Sequence, residues 1–166
     1  MIFRINIPLI LASFFGTGFI SKKMPGTVGA LFGSLCLILT PTHYVFISFI
    51  ILFTVGTLAC ELYRLQSEDC LDRDPKFIVI DEVCGIFLGG AILGLFNHAS
   101  IPNFMLNFIL FRFFDILKPF PIKNVEDRLK ENVKTASLGI MLDDVLAAIY
   151  AIFIQIICIT IYTVLC

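Results

Sequence analysis

Charged residues are scarce in this sequence, and long stretches contain none. Only 15% of the 166 residues are charged while 58% are hydrophobic, and the mean hydropathy is +0.97, which is too apolar for a soluble domain of this length. The formal net charge of -1 provides no net basic surface, which excludes a nucleic-acid partner. The length allows one domain, so we expect residues 1–166 to form a single membrane domain.

The cysteines and the N-terminus also lack familiar signatures. The six cysteines form no CxxC pair, and most lie in apolar runs, so we interpret them as small packed hydrophobes rather than metal ligands or disulfides. The first 15 residues carry Arg4 ahead of an apolar run but have no convincing small-x-small cleavage site. We therefore expect a retained segment in or near the membrane interface.

Three stretches contain no Asp, Glu, Lys or Arg: 24–60, 83–111 and 145–166. Because one span takes about 20 residues, the first stretch predicts a helical hairpin that turns near Thr40-Pro41-Thr42-His43. The third predicts one helix. The second is either one long tilted span or two short helices that break at 97–102, where Asn97 and Pro102 indicate a turn.

The basic residues favour the hairpin for both longer stretches. Cytoplasmic loops hold an excess of Lys and Arg, and all twelve basic residues lie in 1–23, 61–82 and 112–144. Two hairpins would place these three segments on one side. We therefore predict an all-α, multi-pass bundle of about four to five apolar helices with a cytoplasmic N-terminus.

Small residues spaced four apart predict where the helices approach each other. Four pairs fit this spacing: Gly29 and Gly33, Gly85 and Gly89, Gly90 and Gly94, and Ala147 and Ala151. We expect three segments of the chain to pack together through them.

Acids cluster where the polar segments meet the apolar helices: Asp81, Glu82, Asp115, Asp143 and Asp144. Acids at a helix start complement the helix dipole, which explains the two adjacent pairs but fails for Asp115, near the predicted end of its helix. If these three groups of acids lie close together, there are too few basic residues to neutralise their negative charges, and like charges at close range oppose mutual ionisation. Mg²⁺, which carboxylate oxygens suit, would resolve this repulsion.

Two basic segments are candidates for binding phosphate. Arg112 and Lys118 flank Asp115 at spacings of three, on a helix that must end at or before Lys118 because Pro119 follows. They form either an intrahelical salt bridge or a phosphate clamp. The second candidate is the turn that begins with Lys22, where Lys23 and Thr27 stand at a glycine-rich helix start that favours anions; a plain turn with interfacial lysines is the alternative.

Several other phosphoryl-transfer designs lack their residues here. No cysteine has an arginine six positions later, as the phosphocysteine loop requires. Asp72-Arg73-Asp74 lies in a polar loop followed by Pro75, which argues against a phospho-aspartate site. His43 and His98 fall in predicted turns opposite the acids, so we do not expect a histidine nucleophile.

Four segments resemble the motifs of the phosphatidylglycerophosphatase A family: PGTVG at 25–29, Asp74 with IVIDEVCG at 78–85, FRFFDILKPFPI at 111–122, and GIMLDDVLAA at 139–148. The resemblance extends over nearly the whole chain. It implies an all-helical, magnesium-dependent hydrolase that converts phosphatidylglycerophosphate to phosphatidylglycerol and inorganic phosphate in the bacterial cytoplasmic membrane. The acids and bases named above are those that the motifs retain.

The sequence departs from the family pattern at Ala148, where glycine is usual, and at Ala136 and Ser137, which replace glycines ahead of the GIM segment. These changes concern helix packing and loop shape. Two other function classes remain open from the residues: a small cation transporter, which would need acids within the apolar stretches, and a helical scaffold, which would not need clustered acids.

Overall fold

The computed structural model describes residues 6–66, 75–131 and 135–165, and this part of the chain is all-helical with no strand. A short 3₁₀ turn, Thr17–Phe19, follows the first helix. The seven helices are α1 (Ile7–Ala12), α2 (Pro25–Leu39), α3 (Thr42–Gln66), α4 (Ile80–Leu95), α5 (Ile101–Leu117), α6 (Ile122–Glu131) and α7 (Ala136–Leu165).

Both longer charge-free stretches form helical hairpins, as the charge pattern predicts. In the first, α2 ends at Leu39 and α3 begins at Thr42, since Pro41 cannot continue a helix. In the second, α4 and α5 are separate helices joined by residues 96–100, with Asn97 at a positive φ of 59°. The alternative of one continuous span over 83–111 is therefore wrong.

Helix α4 lies at the centre of the fold and packs against α2, α3, α5 and α7. The predicted glycine pairs lie at these contacts. A Cβ on Gly29 or Gly33 of α2 would meet Val79 or Val83, whereas Gly85 and Gly89 of α4 face Phe111 and Asn107 of α5. Gly90 and Gly94 face Leu37 and Thr42, and Ala147 and Ala151 of α7 are fully buried. The prediction of close helix approach is confirmed.

Three features of the helices differ from the sequence prediction: the start of α7, the presence of α6 and the position of His43. Helix α7 begins at Ala136, ahead of the charge-free stretch, because Ala136 and Ser137 are buried and the Ser137 hydroxyl donates a hydrogen bond to Glu61 of α3 over 2.7 Å. The segment 112–144, expected as a loop, contains the charged helix α6, which packs against α7. His43 lies in the first turn of α3 rather than in a turn between helices.

Helices α3 and α7 are long and apolar enough to cross a membrane, judged by length and composition. Helices α2, α4 and α5 are shorter, with 15 to 17 residues each. Many large apolar side chains on α2 and α3 are exposed, for example Leu35 and Phe46.

The N-terminal segment packs onto the bundle. Helix α1 contacts α3, and the Ala12 carbonyl accepts a hydrogen bond from the Val79 N–H just before α4. Cys84 is buried, as expected for a small packed hydrophobe, whereas Cys36 is partly buried and Cys158 is exposed. Asp72-Arg73-Asp74, Cys70 and Cys166 lie outside the described residues.

Candidate active site

All nine candidate site residues line one cavity of about 400 Å³ at one end of the bundle. Helices α2 and α4 begin at this end and α5 ends there, while α7 passes alongside. The wall is therefore assembled from four helices that are far apart in sequence. The nine residues are Lys23, Thr27, Asp81, Glu82, Arg112, Asp115, Lys118, Asp143 and Asp144.

Local sequence explains how each helix presents its side chains to the cavity. Pro25 occupies the first turn of α2, where a missing N–H costs nothing. Asp81 and Glu82 lie in the first turn of α4, where the helix dipole favours carboxylates. Helix α5 ends at Leu117 because a residue before proline avoids the α-helical region. Lys118 adopts a left-handed conformation with φ of 41°, which is common at the C-terminus of a helix.

Asp143 and Asp144 lie inside a helix rather than at a helix start, which corrects the sequence prediction for this pair. Asp143 and Asp144 stand about two turns inside α7, so capping of a helix start does not account for them. Asp115 lies near the end of α5, as expected.

Three carboxylates converge closely enough to share a cation. One oxygen from each of Asp81, Glu82 and Asp144 lies within 4.8 Å of the other two. Glu82 Oε2 and Asp144 Oδ2 are buried and have no hydrogen-bond partner among the described residues. Buried acceptors without donors are costly, so this set of oxygens fits a hard cation such as Mg²⁺.

Burial and neighbouring acids disfavour the charged form of the Glu82 carboxyl group. Burial raises the pKa of Glu82 to about 8, and the nearby charges of Asp144 and Asp115 act in the same direction, whereas Asp81 and Arg112 oppose them. A divalent cation beside these carboxylates would favour their charged forms.

The two predicted phosphate-clamp residues are ion-paired within the protein. Arg112 Nη1 pairs with Asp115 in the same helix and lies 3.9 Å from Glu82 Oε1. Lys118 Nζ lies 2.9 Å from Asp143 and 2.7 Å from Glu126. The intrahelical pair is therefore present for Arg112, while Lys118 bridges α7 and α6 instead of pairing with Asp115.

Gly26 lets α2 approach the acids. A Cβ built on Gly26 would lie 2.0 Å from Glu82 Oε1 and 3.3 Å from Arg112 Nη1. Any larger residue would displace the Glu82 carboxylate, so the glycine of the PGTVG segment sets the position of a site acid.

Sequence reasoning missed three contributors to this region: Lys76, Gly26 and Glu126. Lys76 lines the cavity, and its only sequence signal is its place in a basic segment just before α4. Gly26 belongs to the PGTVG segment at 25–29, but its contact with Glu82 arises from tertiary packing. Glu126 reaches Lys118 from α6, a helix that was not expected.

Comparison with known proteins identifies a matching family and two similar sequences. The family model described as Phosphatidylglycerophosphatase A matches residues 10–159. The phosphatidylglycerophosphatase A of Haemophilus influenzae is 39% identical over 146 residues, which cover 87% of this chain and 84% of the relative. A candidate phosphatidylinositol-3-phosphatase of Bacteroides thetaiotaomicron is 32% identical over 154 residues, 87% of this chain and 89% of the relative. No solved structure matches the chain significantly.

Proposed function

The chain belongs to the phosphatidylglycerophosphatase A family, which makes it a phosphoric monoester hydrolase, and we propose that its cavity hydrolyses phosphatidylglycerophosphate with the help of Mg²⁺. The observation that carries this proposal is the convergence of five acids and four cations on one cavity. The products would be phosphatidylglycerol and inorganic phosphate.

Each part of the cavity has a role in this reaction. Asp81, Glu82 and Asp144 would hold the cation, and Mg²⁺ would supply Lewis-acid chemistry for the phosphoryl oxygens. Arg112 and Lys118 neutralise charge that develops on the phosphoryl group as water attacks phosphorus and the ester P–O bond breaks. Asp115 and Asp143 were expected as further metal ligands. They orient the side chains of Arg112 and Lys118, respectively, through ion pairs.

The start of α2 contributes donors to the phosphate groups. Thr27 and Lys23 line the cavity beside Gly26, and the first N–H groups of a helix have no intrahelical acceptor. A phosphate placed there meets a hydroxyl, an ammonium group and the positive end of the helix dipole.

We place the protein in the bacterial cytoplasmic membrane with the cavity on the cytoplasmic face. Support comes from the apolar length of α3 and α7 and from the exposed apolar side chains of α2 and α3. With hairpins at both charge-free stretches, the basic segments gather at the cavity end, which is the cytoplasmic end under the positive-inside rule. A headgroup phosphate at the interface would then reach the acids.

The first test measures phosphate release by the purified full-length chain as Mg²⁺ is removed with a chelator and returned. We expect activity to disappear and recover. Asp144→Asn should lower kcat/KM by roughly 100-fold, whereas Asp127→Asn on the exposed side of α6 should change it less than about twofold. Near-normal activity of Asp144→Asn, or activity that survives metal removal, would refute the proposed site.

Substrate choice is tested in the same assay. The two relatives carry names that indicate different lipid phosphomonoesters, so phosphatidylglycerophosphate is compared with phosphatidylinositol 3-phosphate at equal surface concentration. We expect the first to be hydrolysed with the higher kcat/KM. Metal uptake into vesicles without phosphatase activity would instead support the transporter.

A further inference from the structure

The four cations that line the cavity divide into two classes. Arg112 and Lys118 are already engaged by carboxylates, as the ion pairs with Asp115 and Asp143 demonstrate. Lys23 and Lys76 also line the cavity, but neither side chain forms an ion pair or hydrogen bond with any residue in 6–66, 75–131 or 135–165. Within the part of the chain that the structure describes, their charges are therefore available to a ligand.

The site acids lie deeper in the cavity than Lys23 and Lys76. Asp143 and Asp144 are each 4% exposed and Asp81 is 8% exposed, so the acids form the floor of the cavity. Lys23 and Lys76 are exposed; they stand in the segments that lead into α2 and α4 and form its rim. A ligand whose reacting phosphate lies on the floor would extend outward past these two lysines.

The chemistry of the proposed substrate matches this arrangement. A phosphatidylglycerophosphate headgroup holds a terminal phosphomonoester and, one glycerol away, a phosphodiester that joins it to diacylglycerol. A cavity of about 400 Å³ is within the range for sites that enclose a small ligand. With the monoester on the acidic floor, the diester lies at the rim, where ammonium groups suit its single negative charge.

We propose that Lys23 and Lys76 form a second anion site that binds the phosphodiester of the substrate headgroup and so selects lipid phosphomonoesters that contain one. This proposal rests on the proposed function. It assigns Lys76 a role in substrate specificity. It also assigns Lys23 to the phosphodiester rather than to the phosphomonoester that is hydrolysed.

The competing explanation is general attraction between interfacial lysines and anionic lipids, which adds affinity without selecting a headgroup. Lys22 provides the matched control. It is the immediate neighbour of Lys23 and carries the same charge, but it does not line the cavity. General attraction predicts the same effect for Lys22→Ala as for Lys23→Ala, and a second anion site does not.

The experiment compares two diacyl substrates with the same chains in neutral phosphatidylcholine vesicles: phosphatidylglycerophosphate, which has the diester, and phosphatidic acid, which lacks it. For Lys23→Ala and Lys76→Ala, the ratio of kcat/KM for the first substrate to that for the second should fall roughly tenfold, mainly through KM. The ratio should stay within about twofold of wild type for Lys22→Ala. An unchanged ratio in both cavity variants, or an equal fall for Lys22→Ala, would overturn the proposal.

A binding measurement separates this proposal from the proposed function. Short-chain phosphatidylglycerol keeps the diester but has no phosphomonoester, so its binding to the full chain, followed by calorimetry, does not depend on turnover. We expect the Lys23→Ala, Lys76→Ala double variant to bind it roughly tenfold or more weakly, with Lys22→Ala unchanged. If the wild-type protein hydrolysed neither lipid but showed this binding pattern, the proposed phosphatase function would be refuted and the second anion site would be supported. Equal binding by wild type and the double variant would reject the anion site even if hydrolysis were normal.

Discussion

At the scale of single residues, the position of the Glu82 carboxylate depends on the missing side chain of Gly26. The carboxylate oxygen occupies the space that a Cβ would take, 2.0 Å away. Glu82 is also one of the three residues whose oxygens converge within 4.8 Å. A shift of Glu82 would therefore separate the proposed cation ligands.

We expect Gly26→Ala to lower kcat/KM about 10- to 100-fold, since small displacements of catalytic groups have effects of that size. The matched control is Gly94→Ala, whose Cβ would lie 2.7 Å from Thr42 Cγ2 at the other end of α4. The two variants are compared by phosphate release per folded molecule, with unfolding temperature measured in parallel. Equal activity of Gly26→Ala and wild type would mean that Glu82 tolerates displacement.

The candidate residues that line the cavity were easier to select from the sequence than the partners of their side chains. The acids could be identified because they interrupt an otherwise apolar chain, and the order of four motifs supported them. The bridge from Lys118 to Asp143 and Glu126 could not be read from the spacing, because it requires the left-handed conformation of Lys118 and the position of α6. Lys76 lies between Asp74 and the IVIDEVCG segment, but the motif does not specify this position, so only the folded cavity identifies it.

At the scale of helices, the apolar lengths predicted both hairpins but not where α7 begins. Residues 136–144 contain Ser137, Gly139 and two aspartates, a composition that favours a loop. Tertiary contacts override this preference, since Ser137 bonds to Glu61 and Gly139 is buried. Helix α6 was missed for a similar reason: its polar sequence is helical where it packs against α7.

The contact between α4 and α5 gives a prediction at this scale. A Cβ on Gly85 would lie 2.5 Å from the Phe111 ring and 3.2 Å from the Asp144 carbonyl oxygen. Gly85→Ala should therefore destabilise the protein by about 1–3 kcal/mol through overpacking. Phe111→Leu alone should also destabilise it, by leaving a void.

The double variant Gly85→Ala, Phe111→Leu should lose less stability than the two single losses together, because the smaller side chain makes room for the new methyl group. Unfolding of the four proteins in detergent measures the coupling. If the losses of unfolding free energy in the two single variants simply added, Phe111 would not be the residue that limits how closely α4 approaches α5.

At the scale of the whole molecule, the two ends of the bundle differ in charge. The cavity end holds the starts of α2 and α4 and the end of α5, with their acids and bases. The opposite end holds the turn at 96–100, which has no charged residue. Hydropathy could predict this division, but it could not decide how many helices cross a bilayer, because α2, α4 and α5 are shorter than the roughly 20 residues of a full span.

Labelling of single cysteines tests the proposed orientation. In a chain whose native cysteines are replaced and which retains phosphatase activity, one cysteine is placed at His98, in the turn after α4, and another, separately, at Lys123 on α6. Helix α4 is about 24 Å long, so His98 lies far from the cavity, whereas α6 reaches it through Glu126 and Lys118.

A membrane-impermeant maleimide should label position 98 in intact cells, because the uncharged end of the bundle faces outward under the positive-inside rule. Position 123 should react only after the cells are permeabilised. The reverse pattern would place the cavity on the outer face, out of reach of lipid made on the cytoplasmic side. Labelling of both positions in intact cells would mean that the bundle does not separate its two ends across the bilayer.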